Sequence, residues 1–201
     1  MYKRAGIAIV IVSLITAMSV ADEPPGQMPQ AEKEIYFDQS QVEQTERTLE
    51  ALSHAIDLWH DACLKGDTKL MAKYNEQLDK LIDTDIDHAR SVVTRQQRQV
   101  AQTAMTIERR SGKRRWEEKI NDRADLRQEK QDYHQAQNWL AVKKRLAASI
   151  AKTGAFSNRL RLFNTYTEAL KRQLDSESFE LAKDMRELEQ DERRFVLEKQ
   201  D

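Results

Sequence analysis

Proline and glycine are both scarce in this chain of 201 residues, which holds 3 prolines and 5 glycines. Pro24, Pro25 and Pro29 all lie in the first 29 residues, as do Gly6 and Gly26. From residue 30 onward only Gly66, Gly112 and Gly154 punctuate the chain, leaving stretches of 36, 45, 41 and 47 residues. Sandwiches, barrels and doubly wound sheets need closely spaced turns rich in Gly, Pro, Asn and Asp. Those fold classes are excluded. Cysteine is scarcer still: Cys63 stands alone, so no intrachain disulfide forms. Missing too are a G-x-S-x-G elbow, a phosphate-cradling glycine loop and an H-E-x-x-H helix, so an enzyme is not expected.

What remains is 39% apolar and 33% charged, a composition suited to long helices with narrow apolar seams. Residues 1–21 read as a secretory signal. Lys3 and Arg4 supply the basic start, Ala5 to Val20 an apolar run of 16, and Ser19 and Ala21 the small residues before cleavage at Asp22. At 1.5 Å per residue that run spans about 24 Å, short of the roughly 30 Å of a bilayer core. Cleavage is therefore preferred over retention as an N-terminal membrane anchor. The expected location is periplasmic or secreted. Without the signal the chain carries 31 Lys+Arg and 34 Asp+Glu. A balance that close to neutral argues against nucleic acid as a target, as does export itself.

Residues 22–37 read as a proline-containing linker, and residues 38–201 as a single helical bundle domain. Ser40 and Glu43 have capping-box spacing. Beyond them Val42, Thr45, Leu49, Leu52, Ile56, Trp59 and Cys63 recur at spacings of 3 and 4, which predicts a helix ending at Gly66. Asp67 is the expected cap of the second helix, whose seam runs through Met71, Tyr74, Leu78, Ile82, Ile86, Ala89, Val93, Gln96, Val100, Thr103 and Ile107. A third seam passes through Trp116, Ile120, Ala124, Leu126, Tyr133, Ala136, Trp139, Leu140, Leu146, Ala147 and Ile150. Gly154 ends that helix, and Ser157 or Asn158 is placed to cap a fourth, carrying Leu160, Phe163, Leu170, Leu174, Leu181, Met185, Leu188 and Phe195.

Folding at the three glycines predicts an all-α, elongated antiparallel bundle with coiled-coil-like seams. A first helix of about 26 residues would cover only half the length of the others, giving four helices in the proximal half and three in the distal half. The alternative is one continuous helix from residue 67 to 153, since glycine inside a helix costs only about 1 kcal/mol.

Three features bear on function. His88, His134 and Asp175 fall at similar heights near Glu43 and form a weak candidate zinc set, against the plainer reading of solvated positions. Cys63 sits on an apolar seam and reads as a core thiol, not a nucleophile. Arg109, Arg110, Lys113, Arg114 and Arg115 cluster at the expected second turn, where five cations suit an anionic surface. No cofactor is implied. The leading expectation is an exported, non-enzymatic scaffold or adaptor contacting protein partners, with the basic tip docking lipid headgroups or another envelope surface. The alternatives are a periplasmic holdase chaperone and a metal-binding bundle. The polar stretch 94–99 also leaves homo-oligomers open.

Overall fold

The computed structural model describes residues 30–110, 116–154 and 156–198. Four helices account for nearly all of them: α1 (Gln30–Leu64), α2 (Thr68–Arg110), α3 (Trp116–Lys152) and α4 (Phe156–Glu198). The fold is an all-helical bundle, and no strand occurs among the described residues. None of the helices is long and apolar enough to cross a membrane. The signal reading of residues 1–21 lies outside the described residues.

Contacts between helices fix their directions. Asp85 on α2 meets Lys143 on α3, and Thr103 meets Glu129, so these two helices run antiparallel. One continuous helix through residues 67–153 is therefore ruled out; the chain reverses between Arg110 and Trp116, and Gly112 itself lies outside the described residues. Thr45 reaches Glu177, and Trp59 packs on Phe163, which sets α1 antiparallel to α4. Asp79 pairs with Arg159 and Asp85 with Tyr166, so α2 and α4 run parallel.

The α1–α2 turn is specified locally. Gly66 takes φ 67°, a left-handed conformation costly for a side chain with a Cβ. Its N–H donates to the Cys63 carbonyl and the Asp67 N–H to Ala62, the paired bonds of a Schellman ending. Asp67 Oδ1 then accepts from the N–H groups of Lys69 and Leu70 at 3.1 and 3.0 Å, the expected N-cap. The other two caps differ from expectation. α4 begins at Phe156, so Ser157 and Asn158 lie inside its first turn. Ser40 lies inside α1, which begins at Gln30.

That earlier start corrects the linker at its C-terminal end. Residues 30–37 (QAEKEIYF) are helical because no proline follows Pro29 and Ala31, Glu32, Lys33 and Glu34 are good helix formers. With 35 residues, α1 is nearly as long as the 37-residue α3. The length argument for a three-helix distal half falls with it.

The chain divides into two compact units, a larger one of residues 41–180 and a smaller one whose described residues are 30–40 and 181–198. In the smaller unit Leu181 is buried, and Tyr36 and Phe37 meet edge to face with ring centroids 6.1 Å apart. Burial pushes the Asp184 carboxyl above its usual range. The larger unit holds the main core. Leu52, Ile56 and Trp59 of α1 pack with Leu78, Ile82 and Ile86 of α2, Ile150 of α3, and Phe163, Tyr166 and Leu170 of α4. Every seam residue expected on α1 and α2 is buried or half-buried. On α3 the expected face is only partly right toward the tip: Leu126 turns inward as expected, but Ile120 and Ala124 are exposed while Lys119, Asp122 and Glu129 are half-buried.

Candidate functional site

Polar side chains occupy the middle of the larger unit, where an apolar core would be the simpler solution. Lys143 stands on α3 among Leu140, Leu146 and Ala147, on the face those residues bury. Its location on an apolar stripe takes the ammonium out of water: the residue is 2% exposed. Asp85, on the inward face of α2 between Ile82 and Ile86, is 3% exposed and accepts from Lys143 Nζ at 2.8 Å. Tyr166 of α4, 1% exposed, donates its hydroxyl to the other oxygen of Asp85 at 2.7 Å. One carboxylate thus joins three helices.

An ion pair this deep adds little net stability over apolar residues of similar size, because desolvating two ions offsets most of their attraction. Sliding α3 by one turn against α2 would strand both charges in apolar surroundings. Burial and the adjacent Asp85 charge push the Tyr166 hydroxyl far above its usual range, so it stays a donor at any physiological pH. His88, one turn beyond Asp85, is held below its ordinary value, first by burial and then by the Lys143 charge, with Asp85 opposing. It is a neutral imidazole near pH 7.

Beyond this triad lies a cleft of about 50 Å³ to which all four helices contribute. Gln41 comes from α1, His88 and Gln96 from α2, Gln135 and Trp139 from α3, and Gln173, Glu177 and Glu180 from α4. Glu177 accepts from Thr45 Oγ1 at 2.9 Å and from Gln173 Nε2 at 2.6 Å. Burial raises its carboxyl above the usual range, and those two hydrogen bonds only partly oppose the shift. Gln135 Nε2 donates to Glu180 at 3.1 Å and to Ser176 at 2.9 Å. Three of the lining residues each carry a buried polar atom with no protein partner: Gln96 Oε1, Gln173 Oε1 and Trp139 Nε1.

The candidate zinc set reaches the right level of the bundle but not the right face. His88 lines the cleft, whereas His134 and Asp175 are exposed and their neighbours Gln135 and Gln173 occupy the inward positions. Glu43 is exposed and pairs with Arg47 at 3.2 Å. Among the described residues, no three His, Cys, Asp or Glu side chains converge to hold a metal. Cys63 is half-buried against the core, and burial raises its thiol. Of the basic run, Arg109 is exposed near the end of α2, and Arg110 is its last residue. Lys113, Arg114 and Arg115 lie outside the described residues. Sequence reasoning missed Asp85, Lys143 and Tyr166, although a lysine amid apolar α3 residues was a readable signal. No family model, curated protein or solved structure matches this chain, so the functional reading rests on its own residues.

Proposed function

We propose that this protein is an exported, non-enzymatic helical scaffold or adaptor that acts through protein contacts and docks an anionic surface with its α2–α3 tip. The observation carrying this reading is exposed apolar surface beside positive charge. Met105 is 56% exposed on α2, and Arg109, also exposed, follows one turn later on the same face. On α3, close behind Lys113, Arg114 and Arg115 in sequence, Ile120 is 43% exposed. Cations draw such a tip to an anionic surface, and apolar side chains then anchor it. Heptad-spaced burial along α1 and α2 supports coiled-coil-like packing as the rigid body behind the tip.

The test replaces Lys113, Arg114 and Arg115 together with glutamate. The natural chain is expected to sediment with phosphatidylglycerol vesicles at low salt and to crosslink one defined partner in intact cells. Charge reversal should abolish the sedimentation. If reversal changes neither vesicle binding nor partners, the tip has no docking role; crosslinks to many unrelated proteins would favour a holdase.

A further inference from the structure

Charge is sorted unevenly over the surface of the larger unit. Between Asp132 and Glu168 the chain has no acidic residue, but it has Lys143, Lys144, Arg145, Lys152, Arg159 and Arg161. Lys143 is paired with Asp85 and Arg159 with Asp79, and the other four are exposed. Two of those four share an outward stripe of α3: Ala141, Arg145, Ala148 and Lys152 follow one another at steps of 4, 3 and 4, and all are exposed. Val142, three residues before Arg145, adds an apolar side chain that is 37% exposed.

The outward face of α1 carries the opposite charge. From Glu34 to Leu64 the only Lys or Arg is Arg47, which pairs with Glu43. Glu50, His54, Asp57 and Asp61 repeat the same steps of 4, 3 and 4, and all are exposed. Elsewhere on the larger unit exposed charges find partners within one turn, as Lys80 does with Glu76, Arg90 with Asp87 and Lys171 with Glu168. Among the described residues Arg145, Lys152, Glu50 and Asp57 have no such partner. Arg145 and Lys152 are seven residues apart, as are Glu50 and Asp57, so each pair spans about 10.5 Å of helix. Two such helices laid side by side bring both cations to both carboxylates at once, and the small Ala148 between the cations allows a close approach. A lipid surface has no spacing of its own to match.

We propose that the outward face of α3 around Arg145 and Lys152 docks the outward face of α1, around Glu50 and Asp57, of a second copy of this chain. Acid meets base, so the contact is heterologous. It uses neither the α2–α3 tip nor anything docked there, and stands apart from that reading. Exposed ion pairs are individually weak and screened by salt, so the association depends on concentration and ionic strength.

Sedimentation velocity of the full chain at low salt should give an average mass that rises with protein concentration, and about 1 M salt should return it to the monomer. Arg145→Glu with Lys152→Glu, and separately Glu50→Lys with Asp57→Lys, should each weaken self-association at least about tenfold, because attraction becomes a comparable repulsion. Reversing Lys113, Arg114 and Arg115 should leave it unchanged. Mixing the two double variants should restore a complex, since the reversed α1 face of one matches the reversed α3 face of the other. A damaged fold would not be rescued in this way, and circular dichroism melts of each variant check the fold directly. A natural chain that stays monomeric at low salt overturns the proposal, as does association that survives both reversals. So does a mixture that stays apart although both variants melt normally. If the monomer instead binds phosphatidylglycerol vesicles and loses them with Arg145→Glu and Lys152→Glu, the face belongs to a membrane and the proposal fails.

Discussion

Replacing Lys143 with methionine isolates the energetics of the buried triad. The side chains have similar length, so packing changes little while the charge disappears. At 2.8 Å and an effective dielectric constant near 20, the Lys143–Asp85 attraction is about 6 kcal/mol. Desolvation of the two ions costs several kcal/mol each, so the intact pair is close to break-even against apolar residues. Removing Lys143 alone is different: Asp85 keeps its desolvation cost and retains only the Tyr166 hydroxyl. The expected loss is about 3–5 kcal/mol. Tyr166→Phe, which removes one donor to a charged acceptor, should cost about 1.5–3 kcal/mol. The triple variant Asp85→Leu, Lys143→Met, Tyr166→Phe removes every member at once and should be as stable as the natural chain or up to about 4 kcal/mol more so. Urea unfolding followed by far-ultraviolet circular dichroism measures all three. Lys80→Met, which breaks an exposed pair with Glu76, is the control and should behave as an ordinary surface substitution. A single Lys143→Met no worse than that control would refute the argument, as would a triple variant with additive losses.

Two groups near the cleft should give opposite pH signatures. His88 is depressed in the fold, so the unfolded chain takes up its proton first, and stability should fall as pH drops below about 6.5. His88→Gln should flatten that part of the profile of unfolding free energy against pH; an unchanged slope would contradict it. Glu177 is raised in the fold, so its ionised form is penalised at neutral pH, and the penalty disappears as pH falls through the raised value toward 4.5. Glu177→Gln should therefore stabilise the chain at pH 7 (relative to the natural protein) and lose that advantage in acid. The hinge glycines should respond unequally. Gly66→Ala must enter the left-handed region and should lose about 1–2 kcal/mol. Gly154 has no left-handed φ, and an added Cβ there meets nothing within 4 Å, so Gly154→Ala should gain about 0.4–1 kcal/mol. Thermal unfolding separates the two, and equal effects would refute the distinction.

The seams of α1 and α2 were legible in the sequence because their apolar side chains recur without a gap over many turns. The Gly66–Asp67 turn was legible because its requirement is local. The tip of α3 was not: with few large apolar residues there, Ile120 and Ala124 looked like the seam while polar residues took the inward face. The candidate zinc set failed in an informative way. Moving one residue along a helix changes height by only 1.5 Å but turns the side chain by about 100°. Heights estimated from the glycine turns were thus forgiving, and His88 lands beside Gln135 and Gln173. Faces were unforgiving, and His134 and Asp175 point outward. The triad escaped for another reason. Asp85, Lys143 and Tyr166 come from three separate helices, and only their tertiary meeting makes a buried charge tolerable.

Sealing Lys143 also gives the protein a built-in clock. An amine-acylating reagent reacts with the free base of a lysine it can reach, and the exposed Lys80 and Lys171 offer theirs at once. Lys143 offers none until the four helices part. The ratio of its modification to theirs, read by mass spectrometry from one digest, reports how often the core opens in the cell and whether a bound partner slows it.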